Sequence, residues 1–241
     1  MKSPSIFWFL LELPRGILQF VISFSVRNFS TPKTKGDGHP VLLIPGFLNN
    51  SSIYILLKKY LNRIGYKTYD WGLGWNTGRI EDLKPLSETL QKIHRETGEE
   101  VTVIGFSLGG VYAREVAKLN IEITRAVVVM GSPFRGLFVK NNVDWLFHLV
   151  NPKGKKPNTH PDFFKKMEEP VSVPTLAIYS KTDGVVPWQG CMENPEDELH
   201  QNLEIKSSHF GFVIHRDSFQ AIANFLPKTK EQPVFEPSLE R

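Results

Sequence analysis

The sequence predicts an α/β fold, a mostly parallel sheet with helices on both faces and a small cap insertion. Three observations predict it. Short, mostly apolar runs, such as 41–44 and 101–104, alternate with longer segments whose apolar residues recur at helical spacing. Strands apolar throughout are buried on both faces, as parallel strands under helices are. The length of 241 residues suits one domain with a sizeable core and is short for two.

The elements follow in order. Residues 31–40 form a polar connector broken by Pro and Gly. The strand 41–44 stops at Pro45-Gly46. Ser51 is placed to cap the next helix, in which Ile53, Leu56, Leu57, Tyr60, Leu61 and Ile64 share a face and which Gly65 ends. A second strand is expected at 67–71. A helix over 83–97 is carried by Leu83, Leu86, Leu90 and Ile93 and stopped by Gly98. Then come a strand at 101–104, a helix at 108–119, strands at 125–130, 175–179 and 203–205, and a closing helix at 216–226. Between 131 and 174 the alternation breaks, with apolar patches around Trp145 and Leu149 and a loop at 151–159. An insertion there, about 137–171, sits above the strand ends, where a cap belongs. Residues 228–241 are rich in Pro and charge and read as a surface arm or frayed tail.

Residues 1–30 form a separate, apolar N-terminal segment ahead of the main domain at 31–241. From 6 to 29 the composition is dominated by Phe, Trp, Leu, Ile and Val. Glu12, Pro14 and Arg15 interrupt what a signal peptide or a membrane-spanning helix would keep unbroken. The polar positions Glu12, Arg15, Gln19, Ser23 and Arg27 recur every three to four residues. That spacing puts them in one narrow stripe on a helix, leaving a broad apolar face. Such a helix lies in a membrane interface or packs on its own domain. A cleaved secretory signal is a third reading.

Composition limits the classes of function. The net charge of +4 comes from 29 basic against 25 acidic residues spread along the chain, which favours anionic surfaces mildly. It builds no clustered basic face for nucleic acid. The single cysteine, Cys191, excludes an intrachain disulfide and a cysteine-based metal cluster, and leaves the compartment open. No metal or cofactor is expected. The expected location is cytoplasmic with peripheral membrane contact through residues 6–29, secretion remaining open.

The sharpest chemical signal is Gly105-Phe106-Ser107-Leu108-Gly109-Gly110, between the strand 101–104 and the helix that follows. A nucleophilic serine needs an exposed hydroxyl on a tight strand-to-helix turn, and glycines allow that turn. The hydroxyl also needs a base, and the base an oriented partner. Asp183 follows the strand 175–179 and His209 follows the strand 203–205, both at carboxyl ends on the edge where Ser107 lies. Taken alone, Asp183 is an ordinary turn residue and His209 a surface histidine. An oxyanion hole is expected from two backbone N–H groups, those of Leu108 and of Phe47 in Ile44-Pro45-Gly46-Phe47.

Together with Gly131-Ser132-Pro133-Phe134 and Asp183-Gly184-Val185-Val186-Pro187, these motifs resemble bacterial lipases and esterases of the α/β-hydrolase superfamily over about 40–226. The resemblance implies the α/β-hydrolase fold and a catalytic triad of Ser107, Asp183 and His209. It departs from many members in carrying Pro45-Gly46 where they carry His-Gly.

Other motifs are set aside. Gly72-Leu73-Gly74-Trp75-Asn76-Thr77-Gly78 has its third glycine one residue late for a dinucleotide fingerprint. Gly154-Lys155-Lys156 lacks the phosphate-loop spacing. The histidines show no zinc-helix pairing; His39 and His94 are expected on the surface. Trp71, Trp75 and Trp188 are expected in the core or pocket wall. The leading function is hydrolysis of a carboxylic ester with an apolar, lipid-like acyl chain. The alternatives are an acyltransferase or thioesterase using the same serine, and a non-catalytic binding module.

Overall fold

The structure, a computed structural model, describes residues 1–25, 35–135, 142, 149–150, 166–194 and 196–230. Six strands, all parallel, form one sheet in the order β2-β1-β3-β4-β5-β6. They are β1 (Pro40–Ile44), β2 (Lys67–Asp70), β3 (Val101–Phe106), β4 (Thr124–Met130), β5 (Thr175–Tyr179) and β6 (His200–Glu204). Among the described residues the long helices are α1 (Ile6–Ser25), α2 (Ile55–Ile64), α3 (Leu83–Thr97), α4 (Leu108–Leu119) and α5 (Arg216–Phe225).

The predominantly apolar strands serve two cores, because alternate side chains leave opposite faces of the sheet. Val41, Leu43, Ile104, Phe106 and Val128 pack with residues of α2 and α5. Leu42, Ile44, Val103, Val127 and Val129 pack with residues of α3 and α4. Every position of β1, β3 and β4 is buried, which is why these strands carry no polar alternation. The helix stops come from glycine where expected: Gly65 and Gly98 take the left-handed conformation behind α2 and α3.

The structure moves several expected boundaries. β6 runs over His200–Glu204 rather than 203–205. Its polar start, His-Gln-Asn, is tolerated because β6 is an edge strand with partly exposed side chains. Asn50, not Ser51, caps the turn leading into α2, its side chain accepting from the Ser52 N–H at 2.9 Å. His39 is buried rather than exposed, held between Asp37 and the Thr102 hydroxyl. Trp75 is exposed rather than in the core, whereas Trp71 is fully buried. Most of the insertion at 137–171 and the tail beyond 230 lie outside the described residues, as does Arg27.

Within the N-terminal segment α1 covers Ile6–Ser25, and its polar stripe from Glu12 to Ser23 faces inward. Arg15 donates to the Thr182 carbonyl at 2.7 Å and to its hydroxyl at 2.8 Å. The Gln19 side chain accepts from the Ser208 hydroxyl, and Ser23 donates to the Ile214 carbonyl at 2.7 Å. The helix therefore docks on its own domain through its polar positions. Its apolar residues, including Ile6, Leu10, Leu13, Ile17 and Val21, stand in solvent. That inverts the usual arrangement of a surface helix.

Candidate active site

Every residue of the expected site lies at the carboxyl edge of the sheet. β3 ends at Phe106 and α4 begins at Leu108, so Ser107 alone makes the turn, at φ 53° and ψ −126°. A non-glycine residue in that region is strained and is held there by its surroundings. Here the Ser107 N–H donates to the Met130 carbonyl at 2.9 Å. Gly109 allows the turn to close: a side chain there would run into the carbonyl oxygens of Ile44 and Pro45.

Ser107, His209 and Asp183 are brought together. His209 Nε2 lies 3.0 Å from Ser107 Oγ, and His209 Nδ1 lies 2.7 Å from Asp183 Oδ2. Asp183 and His209 are each only 3% exposed. The other oxygen of Asp183 accepts from the N–H groups of Val185 at 2.7 Å and Val186 at 3.0 Å, which fixes the carboxylate plane. Phe106, Phe210 and Phe212 surround the imidazole. Burial alone would lower the pKa of His209. The charge and hydrogen bond of Asp183, with Glu12 beyond it, outweigh burial and raise it above its ordinary value.

The loop after β1 completes the geometry. Gly46 packs against the elbow, and a side chain there would come to 3.1 Å from Ser107 Cβ. Phe47 thus lies in the loop that flanks the nucleophile. Leu108, as the first residue of α4, belongs to the turn whose N–H groups have no partner within a helix. The loop is braced by Asn76, which is fully buried: its amide donates to the Pro45 carbonyl at 2.7 Å, its N–H to the Asn49 carbonyl at 2.8 Å, and its own carbonyl accepts from Leu48 at 2.7 Å. Among the described residues, only Leu48 and Ser107 are non-glycine residues at positive φ, and both belong to this site. The glycine-rich stretch 72–78 is therefore a brace for the loop after β1.

Two other residues of the triad's types, Asp197 and His215, are engaged elsewhere. Asp197 accepts from His200 in the turn before β6, and His215 caps α5. Asp162 lies outside the described residues. Trp188 stacks on Tyr179 and packs with Val185 and Val186 behind the Asp183 loop. Among the described residues, no group of three or more His, Cys, Asp or Glu is placed to hold a metal ion.

The alpha/beta hydrolase family model matches residues 41–210. The chain belongs to this family. Its match runs from β1 through the loop that holds His209. Solved structures agree with the fold of this hydrolase. Monoacylglycerol lipase from Paleococcus ferrophilus superposes with a TM-score of 0.60 at 19% identity, covering 81% of this chain and 96% of that one. Lipase B from Aspergillus fumigatus gives 0.61 at 15% identity, over 82% and 55% of the two chains. The thioesterase domain from the curacin biosynthetic pathway gives 0.54 at 12% identity, over 80% and 93%. A search of curated protein sequences found no significant match.

Glu12 is the site residue that the sequence did not single out. It sits 6% exposed beneath His209 and Asp183, although in the sequence it stood out only as an interruption of an apolar run and one position of the polar stripe. The available signal was its type: a carboxyl on an otherwise apolar helix is costly to bury unless its oxygens find donors.

Proposed function

We propose that this hydrolase cleaves carboxylic esters with lipid-like acyl chains through an acyl-enzyme on Ser107. The observation that carries the reading is the unbroken chain from Ser107 Oγ to His209 at 3.0 Å and on to Asp183 at 2.7 Å. In this reaction Ser107 Oγ attacks the ester carbonyl carbon as His209 Nε2 takes its proton. The N–H groups of Phe47 and Leu108 hold the resulting oxyanion. Collapse breaks the bond to the alcohol, which leaves with the proton from His209. Water then attacks the acyl-enzyme, again deprotonated by His209, and frees the acid and Ser107. Asp183 fixes the tautomer and steadies the imidazolium.

Two features support an apolar acyl group. An apolar groove of about 310 Å³ runs between α1 and the turn after His209, lined by Leu13, Ile17, Phe20, Ile53, Phe210 and Ile214. The outer face of α1 is apolar over 18 residues and almost wholly exposed, a surface suited to the acyl layer of a membrane. On this reading the protein is peripherally bound to lipid, and the net charge of +4 adds attraction to anionic headgroups. A thioesterase or acyltransferase would use the same acyl-enzyme, and one structural neighbour is a thioesterase domain. The test is turnover of p-nitrophenyl esters of increasing chain length, with and without lipid, in the wild type and Ser107→Ala. Turnover is expected to grow with acyl length and to vanish in Ser107→Ala. Hydrolysis of acyl thioesters alone would favour the second reading. Failure of a fluorophosphonate probe to label Ser107 would favour a binding module.

A further inference from the structure

The N-terminal helix reaches into the site through one side chain. Glu12 Oε2 accepts from the backbone N–H of His209 at 2.7 Å, and Glu12 Oε1 accepts from the backbone N–H of Gly184 at 2.9 Å. These donors belong to two different loops, one carrying His209 and the other following directly on Asp183. The rest of the stripe grips the same loops, through Arg15 on Thr182 and Gln19 on Ser208. Gly184 is what lets α1 come this close, since a side chain there would run into the backbone of Trp8 and Phe9. The contact crosses from residue 12 to residues 184 and 209.

We propose that Glu12 is a positioning residue of the active site, its carboxylate tying the Asp183 loop to the His209 loop and fixing the imidazole against Ser107. The inference rests on the reading of Ser107 as the nucleophile. Neither carboxylate oxygen is spare, so a glutamine cannot replace it: the amide nitrogen would face one of the two N–H groups. The charge of Glu12 matters as well as its reach. The charged and titratable groups around it are Asp183, His209 and Arg15, whose Nη1 lies 3.9 Å from Oε1. Burial raises the carboxyl's pKa, the Gly184 N–H opposes that, and the Asp183 charge adds to it. In turn Glu12 helps to raise the pKa of His209.

The experiment compares the full-length wild type with Glu12→Gln and Glu12→Asp. It reads the pH dependence of Ser107 labelling by a fluorophosphonate, and kcat and KM on a short soluble p-nitrophenyl ester. Glu12→Gln is expected to lose about 10- to 100-fold in labelling rate and kcat, the scale of a misplaced catalytic group, with KM nearly unchanged. Its acid limb, the rise in rate as His209 loses its proton, is expected to move to lower pH, because a charge that favours the imidazolium is gone. Glu12→Asp keeps the charge and shortens the reach, so it is expected to lose rate while its limb stays in place. Equal rates and equal limbs in all three proteins would overturn the proposal. A merely structural loss would lower the melting temperature without moving the limb, and that too would overturn it. Whatever the variants do, amide exchange in the wild type gives a further check. The Gly184 and His209 amides are expected to exchange slowly, and fast exchange of either would refute the clamp. Labelling of Ser107 needs no ester, so an absence of ester turnover would defeat the proposed substrate and leave the test of Glu12 intact.

Discussion

Replacing Asp183 by asparagine tests the hydrogen-bond chain where its polarity is set. In the wild type one Asp183 oxygen accepts two backbone N–H groups, from Val185 and Val186, while the other accepts from His209 Nδ1. An asparagine keeps only one oxygen. The two backbone donors hold that oxygen, so the NH₂ group turns toward His209 and donates to Nδ1. The imidazole then carries its proton on Nε2, the atom facing Ser107 Oγ at 3.0 Å, and is unable to take the serine proton. A triad locked in that tautomer loses roughly 10⁴-fold in kcat, about 5.4 kcal/mol of barrier. The assay is kcat on a soluble p-nitrophenyl ester, with circular dichroism and melting temperature to show that the fold survives. Labelling of Ser107 by a fluorophosphonate should fall in parallel. A folded Asp183→Asn enzyme within tenfold of the wild type would refute the reasoning.

Two further outcomes follow from the same geometry. His209 works as a base only when neutral and its pKa is raised, so kcat/KM is expected to rise with pH through an apparent pKa above the ordinary imidazole value of about 6.5; a limb at or below that value would contradict the charge balance around the ring. For the outer face of α1, Ile6→Ser with Leu10→Ser is expected to reduce sedimentation with anionic liposomes several-fold while the melting temperature holds, since these side chains are 64% and 71% exposed; unchanged sedimentation would remove the lipid surface from the account.

The sheet was legible because its chemistry is local. Mostly apolar runs at 41–44, 101–104 and 126–130 have no other place than a two-sided core, and the glycines around Ser107 mark a turn that only small residues permit. Asp183 and His209 could be placed because each follows a strand, so their convergence is a consequence of a parallel sheet. What escaped the sequence depends on long-range pairing. The polar stripe of α1 showed its periodicity but not its direction, because docking through Glu12, Arg15 and Gln19 requires donors and acceptors supplied by loops some 170–200 residues away. Asn76 was hidden for the same reason: its partners are the backbone groups of Pro45, Leu48 and Asn49, which no local pattern announces. His39 looked like a connector residue, and only its partners Asp37 and Thr102 make its burial tolerable.

The central claim is the covalent intermediate on Ser107. Its most direct test is mass spectrometry of the intact, full-length protein quenched in acid within the first turnover of a long-chain p-nitrophenyl ester, followed by peptide mapping. The account predicts one acyl adduct, carried on the peptide containing Gly105-Phe106-Ser107-Leu108-Gly109 and absent from Ser107→Ala. Steady turnover with no adduct under those conditions, or an adduct mapped to any other residue, would contradict it.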